Sequence, residues 1–380
     1  MVRAVSARLW WVSAGFALLA ALAACSSSIV IPDLPPIGKA ASRSAIWQVR
    51  LGGGRLATFL EPALQGGALY AASGGGVLVR IDAATGREVW RRDLGVPISG
   101  GVGVGAGLVV VGTSTGLVIA LGEDGSERWR AVVSSEVRGA PLVHDDLVAV
   151  RTVDARIAGL DGRTGERRWV FQRAALPLIV RGYSALGMSG PTLFAGLAGG
   201  RVVALAALNG NARWESSVAT PRGTNEIERM SDVIGRPWVG RGDVCAVTYQ
   251  GRAGCFSAET GNALWARDIS SASGLGGDAR FLFLTDDRSR VLALDRGDGS
   301  VAWRQDAFAG RQMSAPTALG QEIAVGDVRG YLHFLSRDEG QVVARAETDG
   351  DPIDVPPVNM PGGVVVQTRG GLIAAFATAR

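Results

Sequence analysis

Gly76-Val77-Leu78-Val79-Arg80-Ile81-Asp82-Ala83-Ala84-Thr85-Gly86-Arg87-Glu88-Val89-Trp90 runs an apolar strand into an Asp-x-x-Thr-Gly turn and closes on a tryptophan. The ending recurs as Thr164-Gly165-Glu166-Arg167-Arg168-Trp169, Asn209-Gly210-Asn211-Ala212-Arg213-Trp214, Thr260-Gly261-Asn262-Ala263-Leu264-Trp265 and Asp298-Gly299-Ser300-Val301-Ala302-Trp303. Asp124-Gly125-Ser126-Glu127-Arg128-Trp129 is a further copy. Another ends Glu339-Gly340-Gln341-Val342-Val343-Ala344, with alanine in the tryptophan slot, and Trp47 opens the series with no repeat before it. Positions 47, 90, 129, 169, 214, 265, 303 and 344 are 38 to 51 residues apart. A period near 40 with several short strands per unit specifies a β-propeller.

Each unit carries two β-branched-rich runs around a short glycine turn, such as Leu108 to Gly112 and Leu117 to Leu121, which is a hairpin pattern. The runs are almost continuously apolar, as expected of strands buried on both faces between stacked sheets. The tryptophan is placed to cover the junction with the next blade. After Ala344 one more pair of strands follows, Gly363 to Gln367 and Leu372 to Phe376, and the chain stops before an outer strand. Ile46-Trp47-Gln48-Val49 supplies it. The expected fold is therefore all-β: an eight-bladed propeller of four-stranded antiparallel blades, closed by the N-terminal strand so that the ring has no open end.

The first residues read as a targeting segment. Arg3 and Arg8 precede an apolar run, Leu9 to Leu22, that is too short to span a bilayer and ends in Leu22-Ala23-Ala24-Cys25. This resembles a bacterial lipobox, which makes Cys25 the lipid anchor. Residues 1–24 are then a signal peptide and residues 25–42, with Pro32, Pro35 and Pro36, a tether. Residues 43–380 are the propeller. Ser26 after the cysteine is similar to lipoproteins sorted to the outer membrane. Removing Arg3 and Arg8 from 39 basic residues leaves 37 against 35 acids, so charge points to no acidic partner and nothing indicates nucleic acid.

Cys245 and Cys255 lie on the two arms of a hairpin around Gln250-Gly251. In an oxidising compartment they form either a disulfide or two small buried thiols, and a register shift of one residue separates the alternatives. His144 reads as a loop residue and His333 as a strand residue, not as metal ligands. No HExxH, CxxC or Ser-His-Asp pattern is present. Gly101-Val102-Gly103-Val104-Gly105 is not followed by a helix, so no dinucleotide site is indicated. Asp82, Asp161 and Asp295 recur at the repeat's turn, where a carboxylate caps backbone N–H groups.

The Leu-Asp-x-x-Thr-Gly-x-x-x-Trp repeat resembles that of pyrroloquinoline-quinone-type propellers, shared by quinoprotein alcohol dehydrogenases and the BamB family of outer-membrane assembly lipoproteins. The dehydrogenases are longer and carry a vicinal cysteine pair and a calcium-binding acid/amide set at the ring's centre, neither of which this sequence has. The BamB resemblance covers residues 30 to 380. It implies a scaffold without enzymatic activity or cofactor, on the periplasmic face of the outer membrane. The implied partners are the POTRA domains of BamA, other lipoproteins of the assembly machinery and unfolded outer-membrane proteins. Two segments break the period: Leu178-Ile179-Val180-Arg181-Gly182-Tyr183-Ser184-Ala185 and Gly223 to Val233. By the resemblance, Leu178, Val180, Arg181 and Asp232 form the BamA-binding face, while Ile234 stands where a second acid is usual. The competing readings are a quinone-dependent periplasmic dehydrogenase and an adaptor for another envelope partner.

Overall fold

A computed structural model describes residues 31–34, 36, 41–52, 59–174, 176, 178–180, 182, 184–221 and 223–379. Leu34 to Arg380 form one compact unit. The signal segment and Cys25 lie outside the described residues.

Eight antiparallel sheets make eight blades. Blade 1 runs Ala63–Gln65, Ala68–Ala72, Val77–Asp82 and Glu88–Asp93; blade 2 runs Gly103–Gly105, Leu108–Gly112, Leu117–Gly122 and Glu127–Val132. Blade 3 is Leu142–His144, Leu147–Thr152, Arg156–Asp161 and Arg167–Gln172; blade 4 is Leu186–Ser189, Thr192–Leu197, Arg201–Ala206 and Ala212–Ser217. Blade 5 is Val233–Val239, Asp243–Thr248, Ala253–Ser257 and Ala263–Arg267; blade 6 is Leu275–Gly277, Phe281–Thr285, Val291–Asp295 and Val301–Gln305. Blade 7 is Thr317–Leu319, Glu322–Gly326, Tyr331–Ser336 and Val342–Glu347. Blade 8 takes Val358–Met360, Gly363–Gln367 and Leu372–Ala377 from the end of the chain and its outer strand, Ala45–Arg50, from the start, with Trp47 opposite Ala375. The expected closure is present.

The repeat's tryptophan joins the blades. In all seven cases its indole N–H donates to the carbonyl one residue past the third strand of the next blade, at 2.7 to 3.0 Å. The ring lies on the turn glycine of that blade: a Cβ on Gly165, which sits at φ +75°, would stand 2.6 Å from Trp129. Only glycine satisfies both the positive φ and the close approach. In every blade the pairing register shifts at the residue before the tryptophan slot, from Ile46 in blade 8 to Val343 in blade 7. The bulge turns the indole toward the neighbouring blade. It leaves Ile46, Val89 and Leu264 exposed.

Blade 7 solves its missing tryptophan differently. Ala344 pairs with Phe334, whereas Trp129, Trp214 and Trp303 pair with Ala120, Ala204 and Ala293. The bulk has moved to the adjacent strand. Arg43 completes the joint: its guanidinium stacks 4.1 Å over Phe334, pairs with Glu322 at 2.6 Å and donates to Ala377 of blade 8 at 3.0 Å. To bring it there, Ala41–Ser42 pairs in parallel with Val342–Glu347, so the segment expected as tether up to residue 42 gives its last two residues to blade 7.

Between blades the second and third strands are buried on both faces. Leu147, Ala149, Ile157 and Trp169 of blade 3, for example, pack on Leu193, Ala195, Val203 and Leu205 of blade 4. His333 belongs to such a layer. It is fully buried, stacked 4.4 Å from Phe308 and bonded through Nε2 to Asp327 at 3.1 Å, while Arg311 also donates to Asp327 at 2.8 Å. Burial pushes the imidazole pKa down against the pull of Asp327. This is a satisfied core network.

Candidate functional site

Two hollows dominate the described residues. One, about 720 Å³, lies on the axis and is lined by the inner strands of all eight blades. Arg236, at the start of blade 5, reaches across it to Glu61, at the entry to blade 1 on the opposite side of the ring, with Nη2 2.9 Å from Oε2. Many of its other lining groups are prolines, glycines and aliphatic side chains. The lining offers one carboxylate, already paired, and one amide, Asn359. That set does not fit a calcium-bound quinone, because a hard cation needs six or more oxygen ligands.

The second hollow, about 530 Å³, lies between blades 3, 4 and 5, behind the first period-breaking segment. The segment runs from the end of blade 3 to the start of blade 4. Leu176 and Leu178 remain 45% and 43% exposed, and Val180 is half-buried. Arg181 lies outside the described residues. Asp232, only 5% exposed, accepts the Val180 N–H at 2.6 Å and the Gly199 N–H at 3.0 Å, one on each carboxylate oxygen. It therefore stands behind the segment and fastens it to blade 4. Burial raises its pKa, opposed first by those two backbone N–H groups and then by Arg151. Ile234 is buried against Gly182 and forms part of the hollow's wall. The second segment carries exposed Ile227, and Glu228 accepts Thr224 N–H at 2.7 Å within it.

Sequence reading missed four residues that shape the ring and its two hollows. Arg43 carried no local signal, because Ala344 and Phe334 meet only across a strand pair. Glu61 and Arg236 carry no local signal, since they are 175 positions apart. Arg151 had one: it is the fifth residue of its blade's second strand, a position held elsewhere by Ala72, Gly112, Gly196, Val247, Thr285, Gly326 and Gln367.

Cys245 and Cys255 sit directly opposite each other, Cα to Cα 4.0 Å, with their sulfurs joined. Asp243 lies beside them, with a carboxylate oxygen within 4.8 Å of both sulfurs. Sulfurs bonded to each other offer a metal no thiolate. We expect denatured, unreduced protein to take up no thiol-alkylating reagent at either position and reduced protein to take up two equivalents. Reduction is expected to cost about 3 kcal/mol of stability, from the short loop the bridge closes. Equal labelling with and without reductant would exclude the bridge.

A closed ring of eight PQQ-type blades, with its axis spanned by an ion pair and a pinned apolar segment on one face, defines a propeller of the presenting kind. The chain matches the family described as outer membrane protein assembly factor BamB over residues 38–99 and 76–305. It is 39% identical over 332 residues to the outer membrane protein assembly factor BamB of Burkholderia pseudomallei, covering 87% of each chain. The crystal structure of BamB from Moraxella catarrhalis superposes with a TM-score of 0.81 at 27% identity, covering 88% of this chain and all of that one. The quinohemoprotein alcohol dehydrogenase of Comamonas testosteroni shares the fold alone, with a TM-score of 0.64 at 14% identity over 93% of this chain and 79% of that one. The chain belongs to the BamB family.

Proposed function

We propose that this protein is a non-catalytic scaffold of the outer-membrane β-barrel assembly machinery that presents the face around Leu178, Val180 and Arg181 to the periplasmic POTRA domains of BamA. The observation that carries the reading is the segment itself. It leaves the repeat, keeps Leu176 and Leu178 exposed, and has its backbone held by the buried Asp232. A pinned apolar segment loses little freedom on docking, which favours binding. The name carried by its relatives supports the same role. Other lipoproteins of the machinery and unfolded outer-membrane proteins are further partners in this reading, and the rigid ring is the platform that holds them near BamA. Purified protein is expected to co-elute with a BamA periplasmic fragment. Adding pyrroloquinoline quinone and calcium is expected to give no bound-cofactor absorbance; a stoichiometric cofactor spectrum would favour the dehydrogenase instead.

We further infer that the chain is held on the periplasmic face of the outer membrane by lipid on Cys25. One acyl chain binds weakly, so firm anchoring requires a multiply acylated cysteine. Cys25→Ala is expected to fold and melt as the parent does but to leave the membrane fraction for the soluble one. A variant that stays with the membranes would refute the lipid anchor.

A further inference from the structure

The hollow behind the 174–185 segment is built by a departure from the repeat. In blades 2, 4 and 7 the fifth residue of the second strand is a glycine, and a branched side chain from the next inner segment closes over it: Val137 on Gly112, Val233 on Gly196, Ile353 on Gly326. In blade 3 that residue is Arg151, and the space beside it stays open. Its Nη1 is buried and has no hydrogen-bond partner. Ser184 Oγ, on the wall of the same hollow, is also buried without a partner. The other arginines at this hollow are engaged: Arg173 and Arg201 share Glu215, and Arg138 lies 3.7 Å from Glu136. Asp232 offsets the Arg151 charge from a distance, with each of its oxygens occupied by a backbone N–H. The remaining walls are largely apolar, including Leu176, Ile179, Leu197 and Ile234.

A half-buried guanidinium with one buried N–H group that finds no acceptor is costly, and desolvation lowers its pKa to about 10, which still leaves it protonated at neutral pH. Two orphaned donors in one apolar hollow specify a ligand that brings an anionic acceptor and an apolar group together. We propose that this hollow receives a segment of the partner protein that presents an Asp or Glu side chain beside an apolar one, the carboxylate bonding Arg151 with Ser184 Oγ as a second donor. The inference rests on the reading that this face meets BamA, because the hollow's outer wall is the same pinned segment. A carboxylate pairs with the planar guanidinium fork in two parallel bonds.

The test compares Arg151→Met, Arg151→Lys and Leu178→Asp in the full chain, by thermal melt and by affinity for a BamA periplasmic fragment. Arg151→Met is expected to melt at or above the parent, since it removes a charge whose buried Nη1 has no partner. Its affinity is expected to fall roughly tenfold or more, with a smaller salt dependence. Arg151→Lys keeps the charge, loses the fork, and is expected to bind less tightly than the parent. If both Arg151 variants bind as the parent does while Leu178→Asp does not, the hollow is not a receptor and the face reading survives. If none of the three loses affinity, the face reading itself falls, and the proposal with it. A clear drop in melting temperature for Arg151→Met would make Arg151 a structural residue and overturn the proposal.

Discussion

Trp265→Ala is expected to cost about 3–5 kcal/mol of stability, the range for truncating a large buried aromatic. The indole is 7% exposed and packs among Leu275, Leu282, Leu292 and Leu294, so its removal opens a cavity between blades 5 and 6 that their strands cannot collapse to fill. The same change leaves the Arg296 carbonyl without the N–H now 2.8 Å away and uncovers Gly299 at the turn below. Because the blades close into a ring, loosening one joint weakens the whole closure. A thermal melt against the parent checks this. A shift no larger than that of an exposed control such as Val132→Ala would mean the tryptophans do not join the blades.

Leu178→Asp is expected to weaken binding to a BamA periplasmic fragment by about 2 kcal/mol, roughly thirtyfold, without lowering the melting temperature. The side chain is 43% exposed and belongs to no core cluster among the described residues, so folding does not depend on it. An aspartate there would have to be desolvated against the partner's apolar surface. Arg181→Glu is expected to act in the same direction. Asp232→Asn should behave differently, because the carboxylate lies behind the segment: it weakens the hold on Val180 and Gly199, and binding suffers through the segment's loss of order. Parent-like binding by Leu178→Asp and Arg181→Glu together would move the interface elsewhere on the ring.

How far the sequence reaches follows from the distance over which each feature is encoded. The blades were legible because hairpins, turn glycines and bulges are local, and because seven tryptophans report the same joint. The closing strand was legible because blade 8 visibly lacked one. Arg43 was not: its role appears only when Ala344 is set beside Phe334 across a strand pair and the N-terminal segment is brought alongside. The candidate face divides in the same way. Its exposed residues stand out by breaking the period, but the inward role of Asp232 depends on a hydrogen bond to Val180, 52 positions away. The Glu61–Arg236 strut exists only once the ring has closed and brought blades 1 and 5 to face each other across the axis.

The central claim is that the segment between blades 3 and 4 meets BamA, and the most direct measurement is site-specific photocrosslinking in intact cells. A photoreactive amino acid at position 178 is expected to yield a covalent adduct with BamA. The same residue at position 132, 79% exposed on the outer edge of blade 2, is expected to yield none. BamA adducts from position 132 and none from position 178 would contradict the account.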